Sequence, residues 1–207
     1  MTALHLRSVF LLTLGLFTLT PLLAAPQAPV STPLAADTVR ISIQGTSNIH
    51  DYVASATEAR LVRARVSPLV GSEAFWTEVT RPGELQEFEI AVRVTALHSD
   101  RDGLDSNMYK ALKADQFPEI TFRLSRLDAV VDGVQKAIGV LRVAGVERQV
   151  TLDVKFDRRS TGLVVTGRTL LLMTDFGIAP PRALLGMLRT DPKVTITFEA
   201  VLSIPAA

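Results

Sequence analysis

The chain has 207 residues, 47% of them hydrophobic, with 22 Lys and Arg against 21 Asp and Glu and no cysteine. The lack of cysteine excludes disulfides, thiolate metal sites and a thiol-borne lipid anchor, so the domain must be held by its core alone. A net charge of +1, with both signs interspersed, argues against nucleic acid as a partner.

Residues 1–25 read as a secretory signal peptide. Arg7 supplies the basic start, an apolar run extends from Val9 to Leu23, and small residues follow at Ala24, Ala25 and Ala28. The rival reading is an uncleaved membrane anchor. A spanning helix needs about 20 predominantly apolar residues, whereas Thr13, Gly15, Thr18, Thr20 and Pro21 interrupt this run. Cleavage is therefore expected, although Leu22 and Leu23 leave the cut itself open. Residues 26–36, rich in Pro, Ala, Ser and Thr, are expected to form a flexible leader. One domain is expected over 37–205, and a mature chain of about 180 residues can bury one substantial core.

From Thr38 onward the hydrophobic period is two. Val39, Ile41 and Ile43 alternate with Arg40, Ser42 and Gln44. The same rhythm runs through Phe88 to Ala96, Ile120 to Leu124, Val150 to Phe156 and Val194 to Ile204. Successive side chains of a strand face opposite sides, so each segment has one apolar face. Tyr52 to Val66, Gly133 to Val143 and Leu163 to Thr174 read as strands less cleanly. Asp132-Gly133 and Thr161-Gly162 suit tight turns, and Gly145 suits a hairpin. The pattern predicts an all-β domain of about eight strands, closed as a barrel or stacked as a sandwich.

Two segments break the rhythm. Leu104 to Lys113 places Leu104, Met108, Ala111 and Leu112 at helical spacing, with Asp105 and Ser106 early and Pro118 beyond the end. Asp175 to Pro192 is an unusually apolar crossing that holds Phe176, Ile178, Leu184, Leu185, Met187 and Leu188. Such a segment must pack on something or close over a cavity.

Catalytic chemistry finds little support. Outside the signal peptide the histidines are His50 and His98. No G-x-S-x-G, P-loop or H-E-x-x-H motif occurs, and Asp175-Phe176-Gly177 lacks the other kinase signatures. The acidic run from His98 to Asp105 fails the EF-hand pattern and reads as a turn leading to a helix cap. His50 and Asp51 are sequence neighbours that a strand would point to opposite faces, so they make a poor acid–base pair. Phe88, Phe122, Phe156 and Phe198 lie on apolar strand faces, where they serve equally as core or as cavity wall. Leu104, Met108, Leu112, Phe117, Phe176, Ile178 and Leu188 lie off the strands, where apolar side chains suit a cavity mouth or a packed plug.

A set of ordered stretches gives these signals a further meaning. They are Thr46 to Tyr52 (TSNIHDY), Val92 to Leu97, Asn107 to Leu112 (NMYKAL), Phe117 to Phe122 (FPEITF), Gly139 to Val146, Thr174 to Pro181 (TDFGIAPP) and Asp191 to Ile196. Their order across Thr38 to Ile204 resembles the YceI-like family of lipid- and polyisoprenoid-binding proteins. Tyr52 stands where that family commonly has Trp, and Ala144 where it usually has Thr. The resemblance implies a lipocalin-like, eight-stranded antiparallel β-barrel with a short helical insertion. It also implies an isoprenoid-type lipid, such as a polyisoprenoid or an isoprenoid quinone, as bound ligand. No catalysis and no other cofactor is implied. The location implied is the bacterial periplasm, with secretion as the alternative. Met108, Leu112, Phe117, Phe122, Phe176, Ile178 and Phe198 are the expected cavity contacts. Transient membrane contact for ligand exchange and a homodimer are possible associations. The alternatives are a quinone-linked redox accessory or enzyme using His50 or His98, and a partner-docking barrel with a filled core.

Overall fold

The computed structural model describes residues 34–67, 74–160, 162–183 and 187–204. The expected signal peptide, the leader up to residue 33, Thr161 of the expected turn, and Leu184 and Leu185 lie outside the described residues. No helix among the described residues is long and apolar enough to cross a membrane.

The elements in chain order are strands β1 (Ala35–Ser47), β2 (Asp51–Ala56) and β3 (Arg60–Val66), helix α1 (Phe75–Glu78), strand β4 (Leu85–Arg93), and helix α2 (Asp102–Ala111). Strands β5 (Glu119–Leu127), β6 (Gln135–Val143), β7 (Val146–Arg159), β8 (Gly162–Leu172), β9 (Arg182–Ala183) and β10 (Leu188–Ser203) follow. Short 3₁₀ turns occupy Val94–Ala96 and Met173–Phe176. The protein is thus mostly β, with two short helices rather than the one expected. The strands form one antiparallel sheet in the order β2-β1-β10-β8-β7-β6-β5-β4-β3, with β9 paired to β10 beside that path.

The expected count of eight strands is corrected. The segment from Tyr52 to Val66, expected as one strand, breaks at residues 57–59 into β2 and β3, which lie at opposite ends of the sheet. Three residues connect those ends, and four Cα steps of 3.8 Å span at most about 15 Å. The sheet must therefore curl strongly until its two edge strands are neighbours. The edges carry no β2–β3 ladder among the described residues; the β2 edge instead bridges to the chain beyond β4. Ser55 N–H donates to His98 O at 2.7 Å, and His98 N–H donates to Ser55 O at 2.9 Å. At the other end of the sequence, Ala35 and Ala36, expected in the leader, pair with Ser203 and Leu202. Ladder pairing uses backbone groups alone, so a small-residue segment can join it without alternation.

The hairpins follow the turn chemistry. Asp132 and Gly133, and likewise Ala144 and Gly145, all have positive φ, as a two-residue turn between right-twisted strands requires. The two ends of the curled sheet differ. At one end α1 follows β3, and Phe75 and Val79 pack on Val66, with Trp76 and Leu85 against them. The Phe75 and Trp76 rings meet edge to face at 5.0 Å. The buried Gln135 donates to Thr80 O at 2.7 Å and ties this cap to β6. At the other end α2 follows β4, and Leu97, Leu112, Val143, Phe176 and Ile178 share a core cluster. Residues 98–101 lead into α2, and Asp105 in its first turn closes back on them. Asp105 Oδ1 accepts from Ser99 N–H at 2.8 Å, and Asp105 Oδ2 lies 3.3 Å from His98 Nδ1.

Candidate ligand-binding cavity

The curled sheet encloses a cavity of about 1040 Å³. That is at the upper limit of ordinary small-molecule sites, which run from about 300 to 1,000 Å³. Every strand of the sheet path except β3 contributes wall residues, because the period of two turns one apolar face inward. Val39, Ile41 and Ile43 line it from β1, Phe88, Ile90 and Val92 from β4, and Leu152, Val154 and Phe156 from β7. On β10 the wall runs from Thr190 to Leu202, which at about 3.3 Å per residue is about 40 Å of strand.

Polar wall residues gather at the α2 end. Ser47 comes from the end of β1, His50 from the turn after it, Asp51 and Tyr52 from the start of β2, Ser99, Asp100 and Arg101 from the turn before α2, Asn107 from α2 itself, and Thr190 from β10. Arg101 Nη1 donates to His50 Nε2 at 2.6 Å, so the His50 proton in this contact sits on Nδ1. Tyr109 OH donates to Leu97 O at 2.7 Å and fixes α2 against the chain beside the mouth. Burial, then the nearby charge of Asp191, pushes the Tyr52 phenol above its ordinary value, so it faces the cavity as a neutral hydroxyl. Burial also pushes the Asp105 carboxyl upward. Hydrogen bonds from the Ser99 hydroxyl and backbone, and from His98 with its charge, outweigh that and hold it below the ordinary carboxylate value.

Six of the seven expected contact residues stand on the cavity wall: Met108, Leu112, Phe122, Phe176, Ile178 and Phe198. Phe117 does not. Its ring lies against Gly145 in the turn between β6 and β7, where an added Cβ would stand only 2.4 Å from a ring carbon. With φ of +82°, Gly145 is held to glycine by backbone conformation and by this contact together. Phe122 and Phe198 use glycine differently, leaning along the wall over Gly139 and Gly167. Tyr52 covers Gly45, its partner across the β1–β2 ladder, in the same way. The deep wall positions Ile41, Ile90 and Leu152 were absent from the expected contacts, although their parity on the apolar strand faces carries the signal. The His50–Arg101 contact joins residues 51 positions apart and leaves no local trace.

The model of the YceI-like domain matches residues 45–202. Burkholderia cenocepacia BcnA shares the fold at a TM-score of 0.62 and 12% identity, over 79% of this chain and 95% of that one. A polyisoprenoid-binding domain from Saccharophagus degradans gives 0.59 and 12%, over 83% and 98%. A YceI protein of Campylobacter jejuni gives 0.55 and 14%, over 78% and 85%. A search of the curated proteins finds no match. With the family model spanning most of the described sheet, from β1 to β10, the chain belongs to the YceI-like domain family.

Proposed function

We propose that this protein is a non-catalytic carrier of one amphiphilic isoprenoid lipid, a polyisoprenoid or an isoprenoid quinone. The tail lies in the cavity and the head group at the α2 end. The observation that carries this reading is the polarity of the chamber: an apolar interior of about 1040 Å³ with its polar side chains gathered at one mouth. Each CH₂ taken from water into such a wall is worth about 0.8 kcal/mol, so a prenyl chain gains more from this interior than a compact polar solute does. The open interior favours a lipocalin-like container over a docking barrel with a filled core. The polyisoprenoid-binding domain among the similar structures points the same way. Export through residues 1–25 gives the carrier a periplasmic place of work.

The test is mass spectrometry of an organic extract of the chain purified from its exporting host. A stoichiometric isoprenoid lipid is expected. A clean extract, together with no uptake of a short isoprenoid alcohol such as farnesol, overturns the reading.

A further inference from the structure

The rim of the mouth carries two large apolar side chains directed at solvent. Ile49, in the turn between β1 and β2, is 58% exposed, and Met187, just before β10, is 69% exposed. Isolated exposed apolar residues are ordinary. These two sit on turns that Asn48 fastens together. Asn48 N–H donates to Arg189 O at 3.1 Å, Asn48 Nδ2 donates to Met187 O at 2.8 Å, and Asn48 Oδ1 accepts from Arg189 N–H at 2.8 Å. Their sequence neighbours Ser47, His50 and Thr190 line the cavity, so the pair stands on the lip of its polar end.

We infer that this lip is a membrane-docking surface: Ile49 and Met187 enter the interfacial layer of a lipid bilayer and set the cavity mouth against it. The cargo then passes between leaflet and cavity without its tail crossing water. The inference rests on the isoprenoid-carrier reading for its cargo, and on the rim alone for the docking. The charge around the lip tells which membrane fits. Among the described residues near the lip, Arg101, Arg189 and Lys193 stand with Asp51, Asp100, Asp102 and Asp191, so the charge is mixed and gives anionic lipid no particular purchase. Apolar insertion must supply the attraction, and a neutral bilayer suffices. A second exposed apolar pair makes an internal control. Val130 and Val131 are 61% and 68% exposed, between β5 and β6, at the far end from α2.

The experiment is flotation of the exported, processed chain with neutral phosphatidylcholine vesicles. The unaltered chain is expected to float. Ile49→Ser with Met187→Ser is expected to lower partitioning by about tenfold, and Val130→Ser with Val131→Ser to leave it unchanged. The thermal midpoint of each variant is checked, and all four positions are exposed enough for it to hold. Three results overturn the inference: the unaltered chain stays with the aqueous phase, the valine pair carries the binding, or binding demands anionic lipid and vanishes in high salt. Farnesol uptake from vesicle-free solution separates the two readings. Uptake without flotation sinks the docking surface and leaves the carrier. Flotation that depends on Ile49 and Met187, without uptake, sinks the carrier and leaves the docking surface.

Discussion

The far edge of the Phe198 ring fills the space above Gly167, its direct partner across the ladder between β10 and β8. The missing side chain at Gly167 lets the ring lean along the wall instead of projecting into the chamber. Phe122 leans over Gly139 in the same manner, where an added Cβ would also stand 2.5 Å from the Arg123 carbonyl oxygen. The volume of the cavity therefore depends on glycines that are not themselves part of its wall.

Gly167→Ala is the cleaner test, because the three atoms nearest the new methyl all belong to the Phe198 ring. The ring must swing inward, and overpacking of this kind costs about 1–3 kcal/mol. The variant is expected to melt earlier and to bind a long prenyl chain more weakly than a short one. Adding Phe198→Leu is expected to recover both, a coupling that a double-mutant cycle reads directly. If Gly167→Ala leaves uptake of long and short chains equal to the parent, the ring does not control the chamber.

Asp105 predicts a pH dependence with a definite sign. The buried carboxyl accepts from Ser99 and His98 and is held below its ordinary value. A depressed carboxyl contributes stability that is full above the unfolded value, about 3.9, and is lost as pH falls through the folded one. Asp105→Asn leaves Ser99 N–H with a weaker acceptor, and such a loss costs about 1–3 kcal/mol. Thermal midpoints at neutral pH are expected to separate parent from variant, and the gap is expected to close in strong acid. A gap independent of pH contradicts the role given to the charge.

The contact from Arg101 Nη1 to His50 Nε2 at 2.6 Å spans the mouth from the turn into β2 to the start of α2. Both residues are exposed, so its loss is expected to change stability by less than about 0.5 kcal/mol. Its effect belongs to exchange. Removing a contact worth up to about 0.5 kcal/mol from the mouth is expected to speed release roughly twofold. Stopped-flow displacement of a fluorescent prenyl probe from Arg101→Ala measures this, and an unchanged release rate removes the contact from the gate.

Much of the sheet is legible in the chain because strand alternation is local. Val194 to Ile204 reads as one strand and, up to Ser203, folds as part of one, and Leu104, Met108 and Leu112 announce α2 by spacing alone. The break at residues 57–59 is not legible in that way. Both halves of Tyr52 to Val66 are strand-like, and the need to bend arises only when the sheet curls and brings its edges together. Helix α1, with four residues, is too short to display a helical period. Parity picks out wall positions on strands, as at Phe122 and Phe198. It has no force for residues off the strands, where an apolar side chain looks the same whether it faces a cavity or a neighbouring turn.

Phe117 is the residue on which that distinction can be measured. Its ring packs on Gly145 rather than on the chamber, so its truncation removes packing and no ligand contact. A fully buried Phe→Ala change costs about 3–5 kcal/mol, and Phe117, being only half-buried, is expected to cost less, about 2 kcal/mol. Phe176→Ala, by contrast, removes a buried side chain that also forms the cavity wall, so stability and prenyl affinity are expected to fall together. Chemical denaturation and probe binding, measured on both variants, separate the two roles. Phe117→Ala that unfolds at lower denaturant yet binds as the parent does assigns the ring to the β6–β7 turn; weakened binding at unchanged stability returns it to the ligand.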